Sequence, residues 1–191
     1  MKSISELDRA VARAAASAFG GKPRVTRFYD ADESHSVDLL ISSDRPSPGF
    51  TSHSTVDLHN VPNPLEGTDM RVEIAGVAPS AATAFANMLA TAAFYVIKDG
   101  WLCAPGVVFP SLMKEYGLSS TLSHVMWNEP FPWEQLESAK FSEQFSVHWL
   151  LAVPISDAEY ELLLDRGFFA LQLLFTEHEI EYFDLDRRSV V

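Results

Sequence analysis

One cysteine, Cys103, stands in a chain of 191 residues, so no internal disulfide can form. That fits a reducing compartment, although a secreted chain without disulfides would read the same way. Basic residues are also scarce. Fourteen Lys and Arg face 26 Asp and Glu, a formal charge of −12. A surface this acidic repels a phosphate backbone and argues against DNA or RNA as a direct partner. No run approaches the eighteen or so consecutive apolar residues of a membrane span. The first twenty residues, "MKSISELDRAVARAAASAFG", place Glu6, Asp8, Arg9 and Arg13 where a secretion signal needs unbroken apolar sequence. The expectation is a soluble, cytoplasmic protein that neither crosses nor binds a membrane.

Chemical fingerprints are missing too. The chain has no G-x-S-x-G elbow, no P-loop, no G-x-G-x-x-G after a strand and no H-E-x-x-H. It has no internal repeat, low-complexity tract or long linker. What it does have is an ordinary core composition, 47% hydrophobic and 12% aromatic, enough to fold without staples. Its length fits one domain spanning 1–191. The acids are unevenly placed: from Glu129 onward there are 13 against 4 bases. Such a surface keeps a protein soluble and can also steer a basic partner.

The chain opens with a helix. Ser3 and Glu6 have the spacing of a capping box, and Ile4, Leu7, Val11, Ala14, Ala15 and Ala18 form one apolar stripe. Gly20-Gly21 ends it. Strands are expected at 24–30, 35–42, 50–59 and 70–78, with proline-bearing loops at 44–49 and 60–68. A second helix is expected from Ser80 to Lys98, with Phe85, Met88, Leu89, Ala92, Ala93 and Val96 on one face. After an irregular zone come a strand at 121–127, an aromatic loop at 128–136 and a strand at 145–155. The last of these is apolar on both faces, as a central strand is. Ser156 and Glu159 then cap another helix, with Ile155 and Tyr160 as hydrophobic staple and Gly167 as stop. A final strand is expected at 179–185. Strands and helices mix without a regular βαβ rhythm, so the class is α+β: a mixed or antiparallel sheet packed with about three helices.

The polar stretch "SHSTVDLHN" (52–60) offers His53, Asp57 and His59 within seven positions. On a strand these three share a face with Thr55, but His53 and His59 would then lie roughly 20 Å apart. One metal needs its ligands within about 2.3 Å, so these two histidines cannot share it. Asp57 and His59 could, given a third ligand from elsewhere. Otherwise the stretch is a strand with a polar face. Cys103 has no thiol-protease signature around it and reads as a packed core thiol. His148, between Val147 and Trp149, reads as a structural histidine, while His124 and His178 belong to no paired motif. Asp157 and Glu159 are explained by the first turn of their helix, where capping and the helix dipole favour acids.

Two features suit binding. On the expected last strand, Glu177, Glu179 and Glu181 would form a ladder of carboxylates at steps of about 6.6 Å, able to meet Lys or Arg of a partner. The same charges would also protect an edge strand from aggregation. In "NEPFPWEQL" (128–136), Phe131 and Trp133 stand among prolines, either as interface anchors or as covers for the edge of the core.

The C-terminal part, "VPISDAEYELLLDRGFFALQLLF" (153–175) followed by "DLDRRSVV" (184–191), resembles the C-terminal signature of the Suppressor of fused domain family. Upstream, "LISSDRP", "HSTVDL", "APGVVFP" and "TLSHVMW" are weaker matches in the same order. Asp57 and His59 depart from the family's more apolar, glycine-containing strand at this point. The resemblance implies an α+β domain that binds protein without catalysis and carries no agreed catalytic residues. Short bacterial relatives of this kind are assigned as immunity proteins that neutralise toxins.

The sequence reading is therefore a non-enzymatic immunity protein whose partner is a protein, a basic toxin in the sharpest form. No cofactor, metal or catalytic residue is expected. Glu177, Glu179, Glu181, Phe131 and Trp133 are the candidate contacts. The alternatives are a regulator of an endogenous protein, or a small metal-assisted hydrolase built on Asp57, His59 and a third ligand.

Overall fold

The computed structural model describes residues 4–65, 67–136, 139–142 and 145–191. The chain runs α1 (Glu6–Phe19), β1 (Arg24–Tyr29), β2 (Ser36–Ser43), β3 (Phe50–Thr55), β4 (Pro64–Leu65), β5 (Thr68–Asp69), β6 (Arg71–Pro79) and α2 (Phe85–Asp99). It continues with β7 (Val108–Phe109), α3 (Leu112–Glu115), β8 (His124–Asn128), β9 (Ala139–Ser142), β10 (Phe145–Ile155), α4 (Asp157–Arg166) and α5 (Phe168–Glu177). Eight strands form one sheet in the order β1-β2-β3-β6-β10-β8-β7, with β9 also paired to β10. β6 and β10 are parallel, and the other pairs in this sheet are antiparallel. The mixed α+β architecture agrees with expectation, with five helices rather than about three among the described residues.

Alternation along the two central strands feeds two cores. Leu150 and Ala152 of β10 join Val72 and Ile74 of β6 beneath α2. Trp149, Leu151, Val153 and Ile155 join Ala75 and Val77 on the other face. There Val11, Ala15 and Phe19 of α1 and Leu171 and Phe175 of α5 complete the packing. A strand covered on both faces has no reason to alternate in polarity, which is why 145–155 ends as a continuous apolar run. The expected apolar face of the second helix is buried throughout. That helix starts at Phe85 rather than Ser80, because residues 79–85 are taken up by turns bonded from Ala82 to Pro79 and from Phe85 to Ala82. Phe85 lies against Gly76 of β6, where a Cβ would stand 2.7 Å from the ring. Glycine is thus required for α2 to sit this close to the sheet.

Three expectations are corrected. The strand expected over 50–59 stops at Thr55. The Asp57 carboxylate accepts the Asp38 amide at 3.0 Å, standing in for a backbone carbonyl of the ladder, and the chain turns through a 3-10 segment at Leu58–Asn60. The expected strand at 179–185 does not form. Past α5 the chain turns, with Glu179 at φ +46° and the Ile180 amide returning to the Phe175 carbonyl. Ile180 and Tyr182 pack inward while Glu179 and Glu181 face solvent, so alternation is present without a neighbouring strand to pair with. The capping box of α1 is made by Ser5 and Asp8, two residues beyond the expected pair; Ser3 lies outside the described residues.

Candidate functional site

The residues most able to do chemistry lie in three polar clusters. The first gathers around Glu73, fully buried on β6. Its Oε1 lies 2.6 Å from His59 Nδ1 and accepts the His59 amide at 3.1 Å, while Oε2 accepts the Leu58 amide. The opposite ring nitrogen, His59 Nε2, stands 3.3 Å from Asp8 Oδ1, and Asn60 Nδ2 donates to that same oxygen at 2.9 Å. Burial pushes the Glu73 carboxyl above its usual range, against the opposing pull of His59. Burial would raise Asp8 also, but hydrogen bonds from Asn60 and Ser5 outweigh it and hold that carboxyl below its usual value. Both nitrogens of His59 face carboxylates, and the ring is buried. The cluster fastens the 57–60 turn to β6 and α1. Among the described residues no three His, Cys, Asp or Glu side chains converge to hold a metal.

The second cluster centres on Glu159. As the third helical residue of α4 it completes the capping box with Ser156. Its two oxygens also take a bidentate fork from Arg187, at 2.7 and 2.9 Å, and the Val190 amide at 3.1 Å. Arg187 also donates to the Pro154 carbonyl at 2.8 Å and lies 5.1 Å from the Phe175 ring centroid. Ser156 and Ser189 hydroxyls meet at 2.8 Å. The signature at 153–175 and 184–191 is therefore one interlocked structure, which ties the C-terminal segment across the start of α4. Sequence reasoning assigned Glu159 to the cap but gave Arg187 no part. The only signal for the pair was that both fall in the recognised pattern.

In the third cluster His124 Nε2 is 2.8 Å from Asp157 Oδ1, and its Nδ1 accepts the Ser111 amide at 2.9 Å. The amide fixes Nδ1 as acceptor, so Nε2 carries the hydrogen given to Asp157. Ser123 and then His124 hold the Asp157 carboxyl below its ordinary value. With both nitrogens engaged, the dyad has no free position to activate a nucleophile. The remaining candidates are no more available. Burial pushes the Cys103 thiol far above its usual range and His53 down to about 4. His148 Nε2 meets the Ser146 hydroxyl at 3.2 Å.

The expected contact residues part company. Trp133 is only 4% exposed and packs on Phe19 with ring centroids 4.5 Å apart, so it seals the core and is not a free anchor. Phe131 is 44% exposed and meets the Tyr182 ring in a tilted contact, centroids 4.7 Å apart, which sets it beside the C-terminal segment. Glu177, Glu179 and Glu181 are all exposed, but they follow the end of α5 into a turn and form no ladder. No helix among the described residues is long and apolar enough to cross a membrane.

Comparison with known proteins places this arrangement. The sequence profile of the Suppressor of fused protein family matches residues 33–188. The chain is 39% identical over 191 residues to Immunity protein YqcF of Bacillus subtilis (strain 168), covering 98% of this chain and 99% of the relative. Its fold matches a Suppressor of fused homologue from Neisseria gonorrhoeae with a TM-score of 0.71 at 16% identity, over 97% of each chain. A structure of a Sufu–Fu complex matches with a TM-score of 0.68 at 14% identity, over 99% of this chain and 93% of the other. Drosophila Suppressor of Fused matches at 0.63 and 12% identity, over 94% of this chain but 50% of its own. The chain belongs to the Suppressor of fused family.

Proposed function

We propose that this chain is a cytoplasmic, non-enzymatic immunity protein that neutralises a cognate basic toxin by binding and occluding it. The observation that carries the reading is the 39% identity, over essentially the full length of both chains, to a Bacillus protein named for immunity. The acid excess supports the basic character of the partner, since −12 of formal charge draws cations and repels nucleic acid. The engagement of His59 and His124 with neighbouring groups, and the burial of His53 and Cys103, support a binding role over catalysis.

The test is co-expression with the product of the adjacent gene, scored by growth and by titration of the two purified proteins. Growth restored by this chain, with a one-to-one complex, is the expected result. Charge steering acts on encounter, so the association rate should fall at least about tenfold from low to high salt. Equal killing with and without the chain, together with no complex, overturns the reading.

A further inference from the structure

We infer that the outward face of α5, with the end of α4, is the docking surface for that toxin. It is an apolar anchor inside an acidic rim, fitted to a partner that presents an apolar cleft edged by Lys and Arg. The inference rests on the immunity reading above and names its site.

Helix α5 buries Leu171 and Phe175 in the core. Phe169 and Leu173, also four residues apart, therefore lie on the opposite face, and they are 84% and 59% exposed. Leu164, in the last turn of α4, is 68% exposed, and only Gly167 separates the two helices. Three of the nine large apolar side chains exposed among the described residues thus fall within ten positions. Exposed apolar residues scattered singly are ordinary; a group of them marks a contact surface. The fold does not require these three. Phe168 anchors the start of α5, since its ring and Cβ fill the space beside Gly106. Phe169, its neighbour, touches that ring at 5.6 Å between centroids but is otherwise left in solvent, and the middling helix propensity of phenylalanine does not account for the choice.

Charge selects the occupant. Glu161 and Asp165 flank Leu164 on α4, and Glu177 continues the row of Phe169 and Leu173. Glu179 and Glu181 follow in the next turn. Between residues 157 and 181 the only Lys or Arg is Arg166, whose Nε lies 3.5 Å from Asp165. Two copies of this chain meeting through the patch would bring these rims together and repel. A partner with a basic rim would offset them. The three glutamates singled out as a strand ladder thus keep a role, as one side of a rim around apolar anchors.

The experiment uses the full chain carrying F169D and L173D together, with the product of the adjacent gene as probe. Both positions are exposed, so thermal melting should be unchanged. The dissociation constant should rise about thirtyfold or more, chiefly through faster dissociation, and growth protection should be lost. A second variant, E161K with D165K and E177K, should slow association and flatten its salt dependence. If the parent chain binds and the F169D/L173D variant binds equally well, this inference is overturned while the immunity reading stands. If the parent neither binds nor protects, both fall together. Concentration-dependent dimerisation of the parent that F169D/L173D abolishes would also overturn it, by making a second copy the occupant.

Discussion

Two of the helices begin alike and are wired differently. α1 and α4 each start with a serine cap whose box is closed by an acid three residues on, Asp8 in one and Glu159 in the other. Each acid then takes up a second task, reaching a nitrogen-bearing side chain from a distant part of the chain. Glu159 meets Arg187, a permanent cation in a planar fork that satisfies both carboxylate oxygens. Asp8 faces the His59 ring, which it shares with the buried Glu73. The same local device therefore ends in an ion pair with arginine at one site and, at the other, in a cluster around a buried carboxyl, Glu73, that burial pushes above its usual range.

The largest effect should come from breaking the fixed pair. Arg187→Ala leaves Glu159 buried with its fork removed, and the loss of a buried partner costs about 3–5 kcal/mol. Urea unfolding should show this as a lowered midpoint with little change in slope. If the drop is under about 1 kcal/mol, the two clusters do not differ as described. Replacing both residues, Glu159→Leu with Arg187→Met, should recover part of the loss, because no uncompensated charge remains while the Ser156 and Val190 amides lose their acceptor.

A buried group without an ion partner sharpens the contrast. His53 packs against Phe85, and burial lowers its pKa from the usual 6.5 to about 4. A base whose folded value is depressed favours the neutral folded form. Its stabilising contribution is present above the unfolded value and is lost as pH falls through the folded one. The His53 contribution should therefore decline between pH 6.5 and 4, by up to about 3 kcal/mol, against the opposite trend of Glu73, whose raised value favours the folded form as pH falls. Asp8 and Asp157, whose folded values lie below the usual 3.8, act beneath that window. His53→Gln should flatten the decline in an unfolding series across this range. An unchanged slope would assign it to another group.

The contrast also marks where sequence reading succeeds. Ser156 and Glu159 lie three residues apart, so the cap of α4 is visible locally. The first cap was misplaced by two residues because Ser3 and Ser5 offer competing boxes in the same stretch. Central β10 was visible because eleven residues with apolar ends admit few other roles. Helix α5 was not, since Phe168, Phe169, Leu171, Leu173, Leu174 and Phe175 leave no polar face for a period to show. At 179–185 the alternation was real, but alternation cannot say whether a neighbouring strand is there to pair. Of the candidate site, the acids and Phe131 were legible as surface residues. The pairings His59–Glu73 and Glu159–Arg187 were not, because they join residues 14 and 28 positions apart on different elements.

The smallest effect tests the titratable cluster itself. Glu73→Gln keeps one acceptor oxygen but puts an amide NH2 in place of the other, so one of the Leu58 and His59 amides loses its acceptor and the cost should be about 2 kcal/mol. Glu159→Gln, the matching change in the lock, strands a buried guanidinium and should cost about 3 kcal/mol or more. The two also differ in pH dependence. An acid whose folded pKa is raised contributes its stability below the unfolded value, near 4.5, and loses it as pH rises through the folded value. The deficit of Glu73→Gln against the parent chain should therefore shrink as pH climbs above 4.5. The deficit of Glu159→Gln should persist, since the charge it uncovers on Arg187 does not titrate in that range. Two deficits that track each other across pH would mean that the Glu73 carboxyl is not raised by its burial, and the distinction between the two clusters would fail.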